Sequence, residues 1–196
     1  MATARCDCPR GCNSTCYDST CTVENAAVGK VATASTVYTK FGPCLAVDGI
    51  TDVDNCMETA QGDLNPFWRV DLGQEFIVHF MTVHRRSRWS IRMEGLKIYV
   101  DEQLCDVIDK NKTEDNPSSD GSGPPVPINI TCSTPLTGRY VTLVKYATNK
   151  GPPQYLETLS VCEVQVWGEL LLFLLLPMCW VFVFLFLICI SYICHD

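Results

Sequence analysis

Between Glu24 and Gly168 the chain alternates short apolar runs with Gly, Pro, Asn and Asp, the pattern of strands joined by tight turns. Segments 67–72, 76–83, 95–100, 138–144 and 159–167 each have the length and the β-branched or aromatic content of a strand. In the third, Leu96, Ile98 and Val100 occupy alternate positions and so face one way, and Val161, Val164 and Val166 crowd the last. No stretch before residue 170 repeats with a helical period, so 24–168 reads as one all-β domain. The run that begins at Asp115 and ends in Pro124-Pro125 is a surface loop by composition.

Residues 170–194 break the pattern, being apolar and free of charge. A helix of that length, at about 1.5 Å per residue, exceeds the roughly 30 Å hydrocarbon core, which predicts one C-terminal transmembrane helix. Pro177 is tolerated there where neighbours satisfy the freed carbonyl. A glycolipid-anchor signal is the competing reading, but Gly168-Glu169 is a short spacer for one. The opening Met1-Ala-Thr-Ala-Arg-Cys6 lacks the apolar core of a signal peptide, so the chain is expected to be an N-terminally truncated form.

Composition adds a compartment. Thirteen cysteines point to an oxidising environment rather than the cytosol. Cys6, Cys8, Cys12, Cys16 and Cys21 are clustered, Cys44, Cys56, Cys105, Cys132 and Cys162 are dispersed, and Cys179, Cys189 and Cys194 lie in the apolar tail as expected free thiols. Zinc on the N-terminal cluster is weighed against disulfides and set behind them, because no Cys-x2-Cys pair or nearby His accompanies it. Sequons at Asn13, Asn111 and Asn129 agree with export. The expected protein is therefore single-pass, with residues 1–169 extracellular. A net charge of -7 argues against nucleic acid or anionic membrane as a general partner. His79 and His84 fall in one strand segment with no nucleophile motif beside them, so an enzyme is not expected.

Segment 1–23 resembles the closing part of an EGF-like module. The larger domain resembles the F-type lectins, the fucolectin family of the galactose-binding-like superfamily. The residues that carry this are Asn25-Ala-Ala-x-Gly-Lys-x-Ala, Leu45-Ala-Val-Asp-Gly49, Asn65-Pro-Phe-Trp-Arg-Val-Asp-Leu72, Gly138-Arg-Tyr-Val and Leu159-Ser-Val-Cys-Glu-Val. The resemblance implies a jelly-roll β-sandwich over 24–168, with Cys56 bonded to Cys162 and Cys105 to Cys132. Cys44 is then left over, and one cysteine of the N-terminal cluster would restore an even count.

The resemblance also implies a structural calcium ion, held by the carboxylates of Asp48 and Glu163, the carbonyls of Leu45, Ile50 and Cys162, and Asn55. Calcium favours such a mixture of carboxylate and turn carbonyl oxygens. The alternative is that Asp48-Gly49 is only a turn and Glu163 only a strand residue. Sugar contacts depart from the family pattern H-x26-R-x-D-x4-R/K. Arg85 and Arg92 keep the seven-residue offset, but Glu58 stands in the His position and Ser87 in that of the Asp, and Arg88-Trp89 replaces adjacent cysteines. A second register, anchored on Val70-Asp-Leu72, favours Arg86 with Thr59.

The candidate carbohydrate residues are thus Glu58, Arg85, Arg86, Arg92 and Trp89, with arginine forks donating hydrogen bonds and the indole stacking on a sugar face. Cell-surface or microbial glycans, anionic ones included, are the expected partners of this degenerate motif. A protein-binding adhesion or scavenger-type module is the alternative, since one fold hosts many functions.

Overall fold

The computed structural model describes residues 4–6, 25–86, 90–109, 111, 125–146 and 158–170. Nine strands appear among them: β1 (Ala4–Cys6), β2 (Val31–Ala34), β3 (Met57–Glu58), β4 (Phe67–Arg85), β5 (Lys97–Val100), β6 (Gln103–Val107), β7 (Val126–Val144), β8 (Ser160–Val161) and β9 (Glu163–Leu170). Every pairing is antiparallel. The larger sheet runs β1-β2-β4-β7-β5-β6 with β9 also on β4, and β3 pairs separately with β8.

Two long strands organise the sandwich. β4 lies beside β7 for its whole length, while its other edge takes β2 at residues 68–71 and then β9 at residues 76–84. The change of partner coincides with an irregularity between Asp71 and Phe76, where Gly73 takes φ +88° and donates its N–H to Asp71 Oδ1 at 2.8 Å. A left-handed residue at that turn carries no Cβ penalty only as glycine. Inward positions of the strands meet in one core that includes Trp68, Val70, Val78, Met81, Val83, Ile98, Ile128, Ile130, Leu143, Val164 and Val166. The Trp68 indole is fully buried, and its N–H is satisfied by the Pro43 carbonyl at 2.9 Å in the 3-10 turn Pro43–Ala46.

Several sequence expectations change. The pairs of runs 67–72 with 76–83, and 138–144 with the stretch before it, are single 19-residue strands. Residues 4–6 lie in the segment assigned to an EGF-like remnant, yet they extend the lectin-like sheet, with Ala4 opposite Ala34 and Cys6 opposite Ala32. The domain also runs two residues past 168, because Leu170 closes β9 opposite Phe76. No helix among the described residues is long and apolar enough to cross a membrane, and 171–194 lies outside them.

Candidate functional site

The implied disulfides Cys56–Cys162 and Cys105–Cys132 are both present, and Cys44 is disulfide-bonded as well. Cys56–Cys162 joins the loop before β3 to the residue between β8 and β9, where the Cys162 amide also donates to the His84 carbonyl. It therefore fixes the end of β4, the β3–β8 pair and the start of β9 in one place. Two side-chain clusters form there.

In the first, Asp48 Oδ1 accepts from the Ile50 amide at 2.9 Å and Asp48 Oδ2 accepts from Asn55 Nδ2 at 2.6 Å. Glu163 stands beside them at 0% exposure, with neither carboxylate oxygen hydrogen-bonded. Burial, then the negative charge of Asp48, push its carboxyl up to about 8. The amides of Gly49 and Asp48 pull the other way, though neither completes a hydrogen bond to the buried oxygens. Leu45 and Cys162 flank the cluster, one in the 3-10 turn and the other next to Glu163 in sequence. Two close carboxylates, one wholly buried and without a donor, are what a cation removes as an energetic problem.

The second cluster centres on Glu58 of β3. Arg92 Nη1, from the 3-10 turn Ser90–Met93, donates to Glu58 Oε1 at 2.9 Å, and Arg86 Nη2 lies 3.9 Å from Glu58 Oε2. The structure thus unites one member of each sequence register, Glu58 with Arg86 and Arg92. Thr59 points into the domain instead, fully buried, its hydroxyl accepting the Leu159 amide at 2.9 Å. Arg85 is 1% exposed and donates through Nη1 to the Arg86 carbonyl at 3.0 Å, so it braces the end of β4. Trp89 and Ser87 lie outside the described residues.

Two contributions were missed from the sequence. Tyr38 and Phe41 stack with centroids 6.4 Å apart, and the Arg86 guanidinium lies 5.7 Å from the Phe41 centroid. Their loop is tied to Glu58 by Tyr38 N–H to Glu58 O at 2.8 Å and Glu58 N–H to Phe41 O at 3.0 Å. Lys145, 5% exposed, donates to the Arg92 carbonyl at 2.6 Å and so positions the turn that presents Arg92. The Tyr38-x-x-Phe41 spacing was a legible signal; a lone lysine after a strand was not. Together the cluster offers cationic donors, an anionic acceptor and an aromatic edge, a combination suited to hydroxyl-rich, amphipathic ligands.

The histidines His79 and His84 both lie in β4 as expected. His79 Nε2 is 3.4 Å from a Glu169 carboxylate oxygen, while burial lowers the pKa of His84 against a bond to Gln165 that raises it. Neither joins either cluster. Of the sequon residues, Asn111 and Asn129 are exposed, and Asn13 lies outside the described residues.

Comparison with known proteins bears on the family and the fold. Residues 45–143 match the family model described as a NedA-like, galactose-binding domain. The chain is 31% identical over 162 residues to Fucolectin-1 of Anguilla japonica, covering 73% of this chain and 80% of that one. It is similar to the fucolectin of striped bass (Morone saxatilis) serum with 27% identity and a TM-score of 0.54, covering 75% of this chain and 49%, about half, of that one. The lectin domain of Lectinolysin, solved with Lewis B antigen, shares the fold at 22% identity and a TM-score of 0.51, covering 74% and 97% of the two chains.

Proposed function

Because this chain belongs to the fucolectin family of galactose-binding-like domains, we propose that it is a lectin-like receptor domain that binds fucosylated glycans through an altered set of contacts. The observation that carries the reading is the Arg86–Glu58–Arg92 arrangement beside the Tyr38–Phe41 stack. Its relatives are carbohydrate-binding proteins rather than enzymes, and Lectinolysin's lectin domain carries Lewis B in its structure. In this chain Arg86 and Arg92 donate to sugar oxygens while Glu58 accepts from a hydroxyl, reversing the polarity that a donating His would supply at that position. Tyr38 and Phe41 offer the flat apolar surface on which a sugar face or a fucose methyl group rests.

The Glu58–Arg92 pair stands where the ligand must compete for donors, so binding exchanges an internal ion pair for sugar contacts. A glycan array on the full chain, repeated across salt concentrations, tests this. Neutral fucosylated glycans should bind with little salt dependence. Preference for sulfated or sialylated glycans, weakening as the Debye length falls from about 10 Å at 0.1 M to about 3 Å at 1 M, would instead assign the arginines to anion recognition. Absence of any glycan ligand would remove the reading.

Calcium belongs to the same proposal. The fit is set by Glu163, a fully buried carboxylate with two unpartnered oxygens facing Asp48. Asp48 and Glu163 would supply charge, and Leu45, Ile50, Asn55 and Cys162 neutral oxygens. A bound cation supplies the positive charge that lets both carboxylates ionise together. These residues then hold the 45–55 loop against the start of β9, which also steadies β3 and therefore Glu58.

The membrane reading completes it. The charge-free segment 171–194 follows β9 directly, and the disulfides fit an oxidising environment. With the segment in a bilayer, β9 leads from Glu163 of the calcium cluster, which Cys56–Cys162 ties to the strand of Glu58, towards the membrane at its last residue, so the recognition end faces outward.

A further inference from the structure

The outward face of the β9-β4-β7 portion of the sheet carries an aromatic pair, Phe80 exposed and Trp167 half-buried, that neither the glycan cluster nor the calcium cluster uses. Phe80 and Trp167 sit directly opposite one another on β4 and β9, with ring centroids 5.8 Å apart and planes 21° from parallel. Phe80 is 41% exposed. Two stacked rings on an outward strand face favour association with an apolar surface that approaches, and such a pair, not covered by any of the described residues, is a liability on a secreted domain.

The register places one candidate cover beside them. Thr131 of β7 is opposite Phe80, and Asn129 is opposite Thr82, so Asn129, Thr131 and Phe80 share this face. Asn129-Ile130-Thr131 is a sequon whose middle residue is not proline. Asn129 is exposed, while Ile128 and Ile130 turn inward to the core. Its carboxamide oxygen accepts the Thr82 hydroxyl at 3.4 Å, which leaves Nδ2, the nitrogen that carries a glycan, out of that bond. Among the described residues, β7 forms strand pairs only with β4 through 126–138, and on its other side β6 reaches it at Cys132, through the disulfide to Cys105, and at the Thr137 carbonyl.

We propose that Asn129 carries an N-linked glycan whose first N-acetylglucosamine lies over Phe80 and Trp167. The diagonal neighbour on an adjacent strand is within reach of a long substituent, at about 7–8 Å between backbones. A pyranose presents an apolar face of C–H groups that stacks on aromatic rings while its hydroxyls stay in water. In the modification, Asn129 Nδ2 forms a bond to the anomeric carbon of the sugar. The bond from that carbon to the pyrophosphate oxygen of a lipid-linked oligosaccharide donor breaks, and the amide proton passes to a base of the transferase. The attached sugar covers the aromatic pair. This inference rests on passage through a secretory compartment and not on the lectin reading.

The experiment uses the full chain, made in a glycosylating eukaryotic cell behind a cleavable secretion signal and kept in detergent micelles. Peptide mapping reports occupancy of Asn129, and hydroxyl-radical labelling reports exposure of Phe80 and Trp167. Asn129 should be occupied, and labelling of both rings should rise several-fold when an amidase removes the whole glycan from folded protein. Trimming to a single N-acetylglucosamine should leave the rings protected. Thr131→Ser should keep the modification and the protection; Thr131→Ala should lose both. An unmodified Asn129, or labelling that does not change on enzymatic removal, overturns the proposal. Glycan-array binding through the Glu58 cluster is read separately, so loss of one reading leaves the other testable.

Discussion

Glu163 is the residue at which chemistry and stability are most tightly joined. Its carboxyl is lifted from the ordinary 4.5 to about 8 by burial and by Asp48, so without a cation the folded chain holds it protonated below about pH 8. A raised folded pKa means that its contribution to stability is fully present below about 4.5 and is lost as pH rises through about 8. In chelator, the melting temperature should therefore fall between those limits. Calcium should remove most of that fall and add stability as RT ln(1 + [L]/Kd), about 2.7 kcal/mol at a hundredfold excess over Kd. Glu163→Gln should flatten the pH dependence in chelator and abolish the calcium response; a calcium response that survives it would contradict the assignment. The sequence could name Glu163 only through its family position. Nothing local distinguishes it from an exposed strand glutamate, because its burial is created by a loop more than a hundred residues away. The same limit explains the arginines. Two registers were legible, but which guanidinium meets Glu58 depends on how β4 ends, and there Arg85 turns inward and Arg86 outward.

At the scale of elements, alternation revealed strands more readily than their lengths. The run 76–83 and the run 67–72 are one strand because β7 pairs across both, and the intervening Gly73 looks in sequence like the end of a strand. β6 was missed for a different reason. It is a sheet edge whose Gln103, Leu104 and Val107 are all exposed, so no buried face imposes a hydrophobic period on it. The Val78/Phe80 irregularity has a local cost that can be measured. A Cβ at Gly168 would lie 2.5 Å from the Ile77 carbonyl oxygen and 3.1 Å from Val78 Cα, both backbone atoms that cannot swing aside. Gly168→Ala should cost about 1–3 kcal/mol in chemical denaturation, the usual range for overpacking. Wild-type stability in that variant would mean that β9 does not approach β4 this closely. Cys105–Cys132 ties the edge strand β6 to β7 across a separation of 27 residues. Replacing both cysteines by serine should cost about 2–4 kcal/mol yet leave glycan affinity unchanged, since neither contributes to the Glu58 cluster. Lost affinity in a folded protein would tie that edge to the site.

Among the described residues, the two side-chain clusters gather at one end of the sandwich. Cys56–Cys162 is the knot: it brings the Asp48–Asn55 loop, β3 with Glu58, and the start of β9 with Glu163 together from a separation of 106 residues. The fold class and the pairing of four cysteines were legible, because family motifs mark positions that long-range pairing then assembles. The Tyr38–Phe41 edge and the Lys145 brace were not, because they become neighbours of Glu58 and Arg92 only after folding. Contact of Arg92 and Glu58 with a fucosylated ligand is read by calorimetric titration of the full chain with a soluble fucosylated oligosaccharide in calcium. Saturable binding should weaken by about 1.5–3 kcal/mol in Arg92→Ala and be altered in Glu58→Gln, the charged hydrogen bond to the sugar being lost, while both variants melt cooperatively. Unchanged affinity in a folded Arg92→Ala protein, or no binding by the wild-type chain, would contradict it.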